Sequence, residues 1–91
     1  MITAIVLMQV EPRAIPDTAQ ALADLDDVSE VYSVTGEFDL VAIVRVRTHD
    51  ALADVVTGEI AKVEGIERTE TLVAFRAYSR HDLESMFSLG E

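Results

Sequence analysis

A chain that spells out strand, helix, turn and strand twice over has few ways to fold. Shifted by 38 positions, this sequence aligns with itself: Ala4-Ile5-Val6 falls on Ala42-Ile43-Val44, Leu22-Ala23 on Ile60-Ala61, Leu25 on Val63 and Val28 on Ile66. Residues 2–10 form an apolar, β-branched run that reads as a strand, broken by Glu11-Pro12. Ile15, Ala19, Leu22 and Leu25 then recur at helical spacing, with Pro16 in the first turn where proline is tolerated. Asp26-Asp27 is a turn, 28–35 a second strand, and Gly36-Glu37 a tight link to a third strand over 38–47. Thr48 suits the N-cap of a second helix, with Leu52, Val56, Ile60 and Val63 along one side. Gly65 stands where a left-handed cap residue belongs, and 66–78 is a fourth strand.

This order is βαββαβ, the ferredoxin-like arrangement of the α+β class, with a four-stranded antiparallel sheet and two helices on one face. The whole chain, 1–91, reads as a single domain. Its core is 2–78, followed by a short C-terminal helix over 80–88. Ser79 and Asp82 fit a capping box there, and Leu83, Met86 and Phe87 make a short apolar stripe. Helices on one sheet face leave the other bare. In the third strand Phe38, Leu40, Ala42, Val44 and Val46 suit the covered face, yet Val41 and Ile43 fall on the opposite one. The first strand repeats this, with Ile5 and Leu7 opposite Ile2, Ala4, Val6 and Met8. Fully burying each such side chain is worth roughly 1.5–3 kcal/mol, and monomers rarely expose four together. A second subunit packed on that face, giving a dimeric α+β barrel, is the expectation. The alternative cover is the C-terminal helix folded back.

Composition agrees. A chain of 91 residues has a modest core of its own, yet 49% of its residues are hydrophobic and it has no cysteine for a disulfide or metal cluster. Association can supply the missing burial. Absent cysteines fit a cytoplasmic location. The formal net charge of −10 repels phosphate backbones and anionic lipid, so neither direct nucleic-acid nor membrane binding is expected. The apolar start, MITAIVLMQV, lacks a basic leader and a small-residue cleavage site, and reads as the first strand.

Residues suited to catalysis are sparse. His49-Asp50 and His81-Asp82 each fall at a helix start, where the aspartate answers the helix dipole, so capping outweighs metal ligation. There is no G-x-S-x-G elbow and no glycine-rich phosphate loop. No cofactor or metal, and no enzyme activity, is expected. The turn TGEFD is more informative. Gly36 can adopt a positive φ and bare its amide, Asp39 can accept from an ammonium group, and Thr35 offers a hydroxyl. A plain hairpin turn capped by Asp39 is the simpler reading of these residues alone. In RTETL, Thr69 and Thr71 share one face of the fourth strand, where exposed threonines are ordinary.

VSEVYSVTGEFDLVAIVRV, an amphipathic helix and then VEGIERTETLVAF together resemble the effector-binding (RAM) domain of the Lrp/AsnC, or feast/famine, transcriptional regulators. The resemblance spans roughly 2–78 and is most specific over 28–39 and 65–71. It implies a βαββαβ module that dimerises sheet on sheet, assembles further into a higher oligomer such as an octamer, and binds a small effector, usually an amino acid, between dimers. Matching positions put Gly36, Glu37 and Asp39 at that site, Thr69 and Thr71 near it, and Ser33 and Thr35 beside the turn. The family's regulators carry an N-terminal helix-turn-helix, whereas this sequence starts at the first strand, so it resembles the stand-alone members. Such a module would sense amino acids or modulate transcription by mixed assembly with full-length regulators. The contrasting reading is a small dimeric α+β-barrel enzyme of the cofactor-poor monooxygenase or isomerase type. Aromatic content of only 5% argues against it.

Overall fold

The computed structural model describes residues 1–80. Four strands, β1 (Ile2–Val10), β2 (Val28–Ser33), β3 (Leu40–Val46) and β4 (Ile66–Val73), form one sheet in the order β2-β3-β1-β4. Every neighbouring pair is antiparallel. Helix α1 (Ile15–Ala23) follows a short 3₁₀ turn, and helix α2 (His49–Ala53) runs on into a π-helical segment over Asp54–Glu59 and a 3₁₀ turn over Ile60–Lys62. The βαββαβ order expected from the repeat is what the chain adopts. The C-terminal helix expected over 80–88, with His81, Asp82, Leu83, Met86 and Phe87, lies outside the described residues.

Strand faces follow the side-chain alternation. Ala4, Val6, Met8, Leu40, Ala42 and Val44 are fully buried under the helices, joined by Leu22, Val55 and Ile60 from the helical layer. Ile5 pairs with Ile43 and Leu7 with Val41 on the opposite face, where all four are only half-buried. The strand ends differ from the sequence expectation. The second and third strands stop at Ser33 and start at Leu40, so a six-residue loop replaces the tight two-residue link. At this end the Asp39 backbone amide donates to the Met8 carbonyl oxygen at 2.8 Å, so the chain is tied to β1 where the tight link was expected. The fourth strand ends at Val73; one further bond, from the Ala74 amide to the Thr3 oxygen at 2.9 Å, closes the ladder.

The second helix also departs from regular spacing. Thr48 caps it as expected, its hydroxyl oxygen accepting from the Ala51 amide at 3.0 Å. A π-helical segment follows, with Val55 in the core beside the expected Leu52 and Ile60, while the expected Val56 and Val63 are only partly buried. Gly65 ends the crossover with a φ of +96°. A Cβ there would lie 2.5 Å from the Thr18 hydroxyl and 2.8 Å from the Ala14 methyl group, so only glycine fits without displacement. Thr18, buried in α1, donates to the Glu64 carbonyl oxygen at 2.7 Å and ties this turn to the helix.

Candidate functional site

The loop from 34 to 39 is pinned at both ends and open at its tip. The Val34 amide donates to the Asp39 oxygen at 3.0 Å, closing the loop. β3 begins opposite Met8, which leaves buried Val10 without a strand partner on that side. The Asp39 carboxylate replaces the missing strand, accepting from the Val10 amide at 2.8 Å. An unsatisfied buried amide is costly, so this bond fixes the loop to the end of β1. Asp39 therefore caps β1 rather than its own loop amides.

The tip is Gly36, with φ of +105° and no atom within 4 Å of where a Cβ would be. The backbone conformation, rather than crowding, demands glycine here. Glu37 follows and is held twice. Its carbonyl oxygen accepts from the Gln9 side chain at 3.2 Å, and its carboxylate lies 3.5 Å from an Arg68 guanidinium nitrogen. Arg68 also stacks on Phe38, 5.8 Å from the ring centroid. Gln9 and Arg68 are ladder partners on the face that carries Ile5 and Leu7, so the loop leans over the rim of the uncovered sheet face.

The sequence-predicted residues divide. Gly36, Glu37 and Asp39 come together in the loop, with exposed Thr35 beside them. Thr69 and Thr71 pair with Met8 and Val6, so they share a face, but it is the helix-covered side of β4, opposite to that of Arg68. Ser33 pairs with Leu40 on the other edge strand. Three strand spacings, about 14 Å, separate it from the threonines within one protomer. Gln9 and Arg68 are additions that the sequence reading missed. The signal was present in RTETL, where a base precedes the threonines and is opposite in charge to Glu37.

Two other features frame the site. On the far side of the uncovered face, Arg45 lies 3.6 Å from Glu30, and the Tyr32 hydroxyl donates to the same carboxylate. That bond, with the nearby negative charge, raises the Tyr32 pKa above the usual 10.0. An open cleft of about 550 Å³ lies between α1 and the crossover turn, lined by Glu11, Asp17, Thr18, Glu64 and Gly65 among others. Its lining contains neither histidine nor tyrosine. His49 is exposed at the first position of α2, and among the described residues no three histidine or acidic side chains are grouped to hold a metal ion.

A sheet covered by helices on one side and apolar on the other, with a glycine loop at the rim, defines a small ferredoxin-like α+β module. The chain belongs to the Lrp/AsnC family: the model of the Lrp/AsnC ligand binding domain matches residues 3–83. The regulatory protein AsnC of Escherichia coli K12 is 34% identical over 61 residues, covering 67% of this chain and 40% of that protein. The crystal structure of TTHA0845 from Thermus thermophilus superimposes with a TM-score of 0.82 at 54% identity, covering 88% of this chain and 100% of that one. The Neisseria meningitidis regulator NMB0573, solved as a complex with L-Met, shares the fold alone, with a TM-score of 0.78 at 15% identity, covering 87% of this chain and 53% of that one. The chain spans 40% to 50% of the length of the first curated relatives it matches.

Proposed function

We propose that this domain binds an amino acid at the rim of an interface between copies of itself, and that binding shifts their assembly. The observation that carries the reading is the loop leaning over an uncovered apolar face. One surface thus offers both an association patch and an exposed glycine turn. Gly36, Glu37 and Asp39 form the loop side of the site, with Thr35 beside them. Ser33 on one edge and the Thr69–Thr71 pair on the other, too far apart within one protomer, come from neighbouring copies. Dimers stacking sheet on sheet, and rings of dimers such as octamers, give those copies their places.

The family supports a regulatory rather than catalytic role, and the complex of NMB0573 with L-Met supports an amino acid as the ligand class. The route to transcription is mixed assembly with full-length regulators of the family. By linkage, the effector acts only if it binds two assembly states unequally. The enzyme reading is not favoured, because the family match is to a ligand-binding domain and the relatives are transcriptional regulators. Isothermal calorimetry against the twenty amino acids tests the proposal. Saturable binding of at least one by the oligomer is expected; binding of none by a folded oligomer would contradict it.

A further inference from the structure

We infer that Arg68 is the anchor for the carboxylate of a zwitterionic ligand, with Glu37 taking its ammonium group. The inference rests on the amino-acid reading above and assigns it a residue that the glycine loop alone does not supply.

The argument begins with charge. A chain of net charge −10 presents a repulsive field to a carboxylate, so a carboxylate ligand needs a local cation. Arg68 is the basic side chain that contacts this loop, by ion pairing to Glu37 and by stacking on Phe38. Its ion pair is loose: the N–O distance is 3.5 Å, and the two side chains remain 56% and 67% exposed. Exposed pairs of this kind contribute little to stability, so exchanging one partner for a ligand costs little. The Phe38 ring meanwhile lies under the guanidinium, which is 5.8 Å from the ring centroid, and Glu37 engages one of the five guanidinium donors.

An α-amino acid carries the complementary pair of charges at short separation. Laid alongside, its carboxylate meets the guanidinium fork and its ammonium meets the Glu37 carboxylate. The Gln9 side chain holds the Glu37 backbone at 3.2 Å, so the acid is already in place before a ligand arrives. Gly36, exposed beside them with open space where a side chain would stand, leaves room for the ligand at the loop tip. Asp39 is committed to the Val10 amide through one oxygen, which makes Glu37 the freer of the two loop acids.

The test uses the full 91-residue chain and, as probe, the amino acid that binds most tightly in the twenty-member screen, together with its decarboxylated amine and its deaminated carboxylic acid. Arg68→Gln is expected to weaken the amino acid about ten- to a hundredfold while leaving the amine unchanged. Glu37→Gln should weaken the amino acid but spare the deaminated acid. Arg68→Lys should recover part of the loss. Thermal melting confirms that the variants fold, as both side chains are exposed. Wild-type affinity of Arg68→Gln for the amino acid overturns the inference and leaves the amino-acid reading standing. Failure of the wild-type chain to bind any amino acid overturns both.

Discussion

Gly65 concentrates three constraints at one residue. Its positive φ, the Thr18 hydroxyl 2.5 Å from any added Cβ, and the bond from the Glu11 amide to its oxygen at 2.9 Å all meet there. Gly65→Ala should destabilise the domain by about 2–4 kcal/mol, read by urea denaturation with an unchanged m-value. Its role as a positive-φ cap was legible in the sequence, because it follows a helical pattern directly. The contact with Thr18 was not, since a threonine at helical spacing between Ile15 and Leu22 looks like any surface polar residue until the loop carbonyl it serves is placed. Tyr32 carries a second prediction. Its pKa is raised chiefly by the hydrogen bond to Glu30, so the stabilising effect is present below the ordinary tyrosine value of 10.0 and lost as pH rises through the raised value. A difference absorbance titration of wild type against Tyr32→Phe should show a phenol ionising above 10.0. A difference curve centred at or below that value would contradict the hydrogen bond.

At the scale of elements, the second helix shows how far periodicity reaches. Thr48 is its N-cap, and Thr48→Ala should cost about 1 kcal/mol in thermal or chemical denaturation, the usual worth of such a cap. No loss on that substitution would mean the hydroxyl bond to Ala51 carries no weight. The start of this helix and its Leu52 and Ile60 contacts follow directly from spacing. The π-helical turn over Asp54–Glu59 does not: Val55, three residues after Leu52, is buried, while Val56, expected to line the core, is only partly buried. The loop from 34 to 39 is a similar case. Gly36-Glu37 marks a turn correctly, but the loop's true width depends on an aspartate bonding to a strand 29 positions away in the chain. Local sequence marks the residue types but not which distant residue each one bonds. Arg68 escaped notice for the same reason: its partner Glu37 is 31 positions distant.

On the scale of the whole molecule, the apolar but uncovered sheet face governs behaviour. Leu72 is 46% exposed beside half-buried Ile5 and Leu7, and Phe75 just beyond β4 is wholly exposed. Ile43→Glu places a charge in the middle of this face without touching the helix-covered core. It should dissociate the oligomer while the far-ultraviolet circular dichroism stays unchanged; an oligomer of wild-type mass would place the interface elsewhere.

The most direct measurement of the central claim is the solution mass of the wild-type chain by sedimentation equilibrium at micromolar concentration, with and without the amino acids that bind. A mass at least twice the 10.0 kDa of one chain, shifted by the effector, is the predicted result. A single species at 10.0 kDa under both conditions would contradict it.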